Sequence, residues 1–135
     1  MGDTPIMTTA LANITVKNCT VNGADRAIEL RGTENLTIED NSFRNIAGRT
    51  ILLSFDGTPY TGTVTVKDNT ANTLGERFLR ATNITGDITV TGNTLSGCNG
   101  ADADVIKITD ATGAVNVADN TIPDGKTVTV PAAAE

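Results

Sequence analysis

At 135 residues and a formal net charge of −6, the chain is long enough for one domain with a sizeable core, and too acidic for nucleic acid, whose phosphates need a basic footprint. Aromatic residues make up only 3%, so that core must come from Val, Ile, Leu and Ala, while abundant Thr, Asn, Asp and Gly favour short strands and turns over helices. No apolar run approaches the roughly 20 residues of a membrane span, and with no His the usual metal ligand and neutral-pH proton carrier is missing.

Residues 1–12 stand outside the pattern that follows; with Ile6, Met7 and Leu11 they are expected to cap the first coil and cover its unpaired strand edges. From residue 13 to 130 a single repeating domain is expected. Its units read Ile14-Thr-Val-Lys-Asn-Cys-Thr-Val21, Leu36-Thr-Ile-Glu-Asp-Asn-Ser-Phe43, Val64-Thr-Val-Lys-Asp-Asn-Thr-Ala71, Ile88-Thr-Val-Thr-Gly-Asn-Thr-Leu95 and Val115-Asn-Val-Ala-Asp-Asn-Thr-Ile122. Each alternates apolar and polar residues into an Asn-bearing turn, with Asn18, Asn41, Asn69, Asn93 and Asn120 as the expected ladder. A period of twenty to thirty residues built from short strands is the mark of a stacked solenoid.

Between these copies lies a second strand, aligned at Ile28, Ile51, Leu79 and Ile106. Because side chains alternate across a strand, five inward columns are predicted. They are Ile28/Ile51/Leu79/Ile106, Leu30/Leu53/Ala81/Ile108, Ile14/Leu36/Val64/Ile88/Val115, Val16/Ile38/Val66/Val90/Val117 and Val21/Phe43/Ala71/Leu95/Ile122. The same register turns Leu52 and Phe78 outward, beside Val105. Connectors such as Gly32-Thr-Glu-Asn and residues 56–62 absorb the variable length, and 131–135 is expected to fray. Cys19 and Cys98 fall three layers apart, roughly 14 Å at the spacing of stacked strands, beyond disulfide reach.

The copies "LTIEDNSF", "VTVKDNTA" and "ITVTGNTL", each with an apolar strand upstream, resemble the pectate-lyase-like superfamily over about residues 11–130. That resemblance implies an all-β, right-handed parallel β-helix of about five coils, with three sheet faces per coil and a stacked Asn ladder at one turn. Asn suits the turn because it tolerates left-handed backbone and its amide can donate to one neighbour and accept from another. The superfamily holds polysaccharide lyases, hydrolases, esterases, tailspikes and modules without known activity, so the fold alone does not fix a function.

The hydrolases' Asn-Thr-Asp, Asp-Asp, Gly-His-Gly and Arg-Ile-Lys motifs are absent, and so is Gln, which the esterases' signatures require. Asp102 and Asp104 are too few carboxylates for the six to eight oxygens of calcium. No catalytic residue, metal or cofactor is therefore expected. The expected role is a non-catalytic binding or scaffold module, secreted or at the cell surface, as one part of a larger carbohydrate-active protein. A lyase or hydrolase on acidic glycans, and an engineered or truncated scaffold without a ligand, remain as alternatives.

The candidate ligand residues are Arg49, Arg77, Phe78, Arg80 and Lys107. Cations stacked on one face repel unless anions intervene, and Arg recognises carboxylate and sulfate groups bidentately. Acidic oligo- or polysaccharide is the partner this implies. Against it, Asp25, Glu29, Glu76 and Asp104 could neutralise the same cations as ordinary surface pairs. The open coil end, or the Leu52/Phe78 patch, would suit a second copy or a neighbouring domain.

Overall fold

The structure is a computed structural model and describes residues 6–9, 12–31, 34–53, 62–98, 100 and 103–130. After β1 (Ile6–Thr9), the first coil comprises β2 (Ala12–Lys17), β3 (Thr20–Ala24) and β4 (Ile28–Arg31). The second comprises β5 (Glu34–Glu39), β6 (Ser42–Ile46) and β7 (Ile51–Leu53); the third, β8 (Val64–Lys67), β9 (Thr70–Leu74) and β10 (Leu79–Ile84). The fourth holds β11 (Ile88–Thr91), β12 (Thr94–Cys98) and β13 (Asp104–Ala111). A fifth, shorter turn adds β14 (Val115–Ala118), a bridge at Thr121 and β15 (Thr127–Thr129).

Each strand pairs in parallel with its equivalent one coil away, forming three sheets. Sheet A runs β1-β4-β7-β10-β13-β15, sheet B β14-β11-β8-β5-β2, and sheet C β12-β9-β6-β3. The protein is thus an all-β parallel solenoid with four complete coils and part of a fifth. The N-terminal segment carries β1, which continues sheet A in register with β4, Ile6 opposite Ile28 and Thr8 opposite Leu30. The expected tail, 131–135, lies outside the described residues, as do 1–5, 10–11 and 54–61.

All five predicted columns are present, and their members in the middle coils are buried. Two more line the interior. Ala24, Ile46 and Leu74 form one, continued by half-buried Cys98. It escapes a period of two because each strand of sheet C bulges. Gly23, Asn45, Thr73 and Gly97 hold φ of 86°, 57°, 62° and 60° in the same place in each layer, so two outward residues separate the inward ones.

The other is a corner column of Ala27, Thr50, Phe78 and Val105, all 1% exposed or less, just ahead of the regular alternation of sheet A. Phe78 therefore points inward, edge-to-face with Phe43 at 6.3 Å between ring centroids, not outward as the alternation suggests. Alternation cannot be extended backwards from Leu79 across a corner. Leu52 does stand opposite Glu29 and Arg80 on the outer side, yet it is 1% exposed. The Leu52/Phe78 surface patch does not exist.

The polar corner between sheets B and C holds the layers together. Asn41 Nδ2 donates to Asn69 Oδ1 at 3.0 Å, Asn69 Nδ2 to Asn93 Oδ1 at 2.9 Å, and Asn93 Nδ2 to Asn120 Oδ1 at 2.9 Å. Each Oδ1 also accepts the backbone N–H of the ladder residue before it, and each Nδ2 also donates to a strand carbonyl, as Asn69 does to Ile38 O at 3.1 Å. Asn41, Asn69 and Asn93 are buried.

Asn18 is not a rung. Strand register places Val16 opposite Ile38 and Lys17 opposite Glu39, so Cys19 occupies the ladder slot and offers only its backbone N–H, 2.9 Å from Asn41 Oδ1. Asn18 belongs instead to the preceding column with Asp40, Asp68, Gly92 and Asp119, all at φ between 55° and 68°. The left-handed residue and the bonded residue are neighbours with separate tasks. Short polar side chains and glycine tolerate that backbone, and this frees the Asn that follows to face inward.

Replacing Asn69 by Ala strips partners from Asn41, Asn93 and Ile38 at once. At about 1–3 kcal/mol for each buried group left unpaired, the urea midpoint should fall by an amount worth at least about 2 kcal/mol. Thr73, a β-branched residue at φ 62°, is strained where the adjacent coil has Asn45. Thr73→Asn should raise stability by about 1 kcal/mol in the same assay.

Candidate ligand-binding face

The cations singled out in the sequence cluster on and beside the outer face of sheet A. They divide into two kinds. Arg77 Nε donates to Asp104 Oδ1 at 2.9 Å, with both side chains only 14% exposed, so this pair is built into the wall between the third and fourth coils. Arg49 Nη1 lies 3.7 Å from Glu76 Oε1, a looser and more exposed contact, while Arg49 Nε is buried without a partner among the described residues. Arg26 pairs with buried Glu29 at 3.2 Å.

Arg80 and Lys107 differ. They stand directly opposite one another on β10 and β13, and neither forms an ion pair with a described residue. Arg80 Nη1 donates to Ala81 O at 2.9 Å and to Thr109 Oγ1 at 3.0 Å. Thr109 Oγ1 in turn reaches Thr82 Oγ1 at 3.2 Å, and Thr82 Oγ1 donates to Asp110 Oδ2 at 3.1 Å. The Ala81 carbonyl and the Thr109 hydroxyl thus hold the guanidinium, and the two hydroxyls link it to a carboxylate that it does not touch.

Burial lowers the pKa of Arg80, and the charges of Arg77 and Arg49 lower it further, against the opposing pull of Asp110 and Asp104. Arg remains protonated regardless, so Arg80 stays a cation with Arg77 and Arg49 near it. For Asp104, burial alone would raise the pKa, but hydrogen bonds from Thr129 and Arg77, with the charge of Arg77, outweigh it and leave the value below the usual range.

The chain's first 122 residues match the family model described as a right-handed β-helix region.

The chain belongs to the right-handed β-helix family.

No curated protein and no solved structure matches it. Within this β-helix, four of the five expected ligand residues, Arg49, Arg77, Arg80 and Lys107, share one side of the solenoid; Phe78 does not, because it is part of the core. Sequence reasoning missed Thr82, Thr109 and Asp110, whose signal was present: Thr82 and Thr109 align two residues beyond Arg80 and Lys107 and share their face. It also passed over Glu39, Asp40 and Asp68, whose carboxylates gather within 4.8 Å at the corner ahead of the Asn ladder. Of the pair in the long insertion, Asp104 is occupied by Arg77 and Thr129, and Asp102 lies outside the described residues.

The lowered pKa of Asp104 sets a pH dependence. A carboxylate with a folded pKa below its unfolded value of about 3.9 contributes stability that is present above that value and lost as pH falls through the folded one. Asp104→Asn should therefore melt below the wild type at pH 7. The gap should close as both are titrated below about pH 4, where the native side chain also becomes neutral; thermal melts across that range check it.

Proposed function

We propose that this β-helix is a non-catalytic binding module whose sheet A face takes acidic polysaccharide. The supporting observation is the Arg80–Lys107 pair: two cations in cross-strand register, each lacking a direct carboxylate partner among the described residues. Adjacent strands place them about 4.8 Å apart along the solenoid axis. Successive charged sugars of an extended chain could meet successive layers at that spacing. Arg77 and Arg49 contribute field more than contact, since their own carboxylates engage them.

Binding here is local. The chain carries a net charge of −6, so attraction must come from this cluster and not from the whole-protein field. Arg80 would take a carboxylate or sulfate in bidentate fashion, while Lys107 would act as a point charge. The half-exposed position of both makes the interaction sensitive to salt over a screening length of about 8 Å at physiological ionic strength.

Calorimetric titration with uronic-acid oligosaccharides tests this. Wild type should bind, more weakly as salt rises, and Arg80→Gln should lose about tenfold or more in affinity, the size expected for a charge-assisted hydrogen bond. Arg26→Gln, whose cation is committed to Glu29, should bind like wild type. Equal heats in Arg80→Gln and wild type, or none in either, would sink the assignment.

A further inference from the structure

A different face of the solenoid carries a second set of outward polar groups, of which Asn22 Oδ1 accepts from Asn45 Nδ2 and Asn72 Oδ1 from Thr73 Oγ1, both at 2.8 Å. Sheet C presents two outward columns, one on either side of the inward Val21/Phe43/Ala71/Leu95 column. The first runs Thr20, Ser42, Thr70, Thr94, and reaches Thr121 through the last bridge; the second runs Asn22, Arg44, Asn72, Ser96. Ser42, Arg44, Thr70, Asn72, Thr94 and Ser96 line an open groove of about 250 Å³ across three layers. Beyond it, around the bulge at Asn45 and Thr73, lies a separate open hollow of about 240 Å³.

The chemistry of this groove is specific. The hydroxyls of Ser42, Thr70, Thr94 and Ser96 make no hydrogen bond to another described residue, so each can both donate and accept. Arg44 is the groove's one cation; it is exposed and pairs with no carboxylate among the described residues. Its register partners are neutral amides, Asn22 on one side and Asn72 on the other. Nothing here resembles the dense charge of sheet A: one guanidinium serves three layers of hydroxyl and amide groups.

We infer that the sheet C groove is a second, independent carbohydrate site, for a linear glycan in which acidic sugars are separated by neutral ones. The hydroxyl columns match the donor-and-acceptor character of sugar hydroxyls at every layer, about 4.8 Å apart. Arg44 takes the carboxylate of one sugar, and the neutral units on either side meet Thr70, Thr94 and Ser96. A uniformly charged polymer is disfavoured, because its further carboxylates find no cation here and face a protein of net charge −6. The groove has no aromatic side chain, so affinity comes from many polar contacts and from Arg44.

Backbone-amide NMR on the whole labelled chain, titrated with a hexasaccharide alternating neutral sugar and uronic acid, tests the site residue by residue. Shifts should map to 42–44, 70–72 and 94–96. Arg44→Gln should weaken them about tenfold, as loss of a charge-assisted bond implies, and Thr70→Val should weaken them severalfold. Both side chains point outward from the sheet, so neither variant should change the melting temperature. Arg80→Gln should leave the sheet C shifts as in wild type, which separates this site from the sheet A reading. Shifts confined to sheet A, no shifts at all, or an Arg44→Gln titration identical to wild type would each overturn it.

Discussion

A parallel coil cannot satisfy its own backbone. Each strand's N–H and C=O groups point along the solenoid axis and find partners only in the coils above and below, so every layer depends on its neighbours for hydrogen bonding. The corners are the difficult places, because the chain must turn while its polar groups stay buried. The Asn ladder meets that need with four bonds per rung, two made by the side-chain oxygen and two by the nitrogen. Where the turn from sheet C to sheet A is tightest, glycine takes over: a Cβ on Gly75 would collide with the Ala47 carbonyl, and one on Gly100 with that of Gly75. The layers stack because the corners permit it.

That constraint also decides where chemistry can sit. The interior is filled by aliphatic columns with two phenylalanines among the described residues. The charged side chains of the described residues lie outside these columns, on the faces in cross-strand rows set by register and at the corners between them. On sheet A the rows bring like charges together, and the protein relieves some of that repulsion with Asp104 and Glu76 while leaving Arg80 and Lys107 open. On sheet B the outward row alternates instead, with Glu39 opposite Lys17 on one side and Lys67 on the other. The contrast between the two faces is what makes the sheet A cluster notable.

Much of this was readable from residues alone, and for a single reason: alternation of side chains along a strand is strict wherever the strand is regular. Ile14, Leu36, Val64 and Ile88 announce their column at once. The misreadings all fall where regularity stops. Phe78 and Val105 sit at a corner, so counting back from Leu79 and Ile106 gave them the wrong side. Ala24, Ile46 and Leu74 lie beyond a bulge that inserts an extra residue in every coil. Asn18 was chosen for its identity, although the inward residues around it, Val16 opposite Ile38 and Val21 opposite Phe43, already put Cys19 in the ladder slot. The ion pairs were legible only as a set: Glu29, Glu76 and Asp104 do neutralise Arg26, Arg49 and Arg77 as the neighbouring carboxylates suggested, but which carboxylate each Arg selects depends on rotamers, and composition says nothing about those.

The recurrence of corner, bulge and glycine contact once per layer bears on how such a chain can change length. A segment cut between equivalent points, such as residues 64–87, holds one left-handed Asp, one ladder Asn, one bulge and a strand for each sheet. Inserted a second time, it would meet at its lower side the same surface that it presents at its upper side. Such a duplication would lengthen all three faces by one strand spacing, about 4.8 Å, while the two ends of the solenoid kept their own residues. Growth by whole coils extends a row of surface groups without redesigning it, so the reach of each face along a polymer is set by the number of copies in the gene.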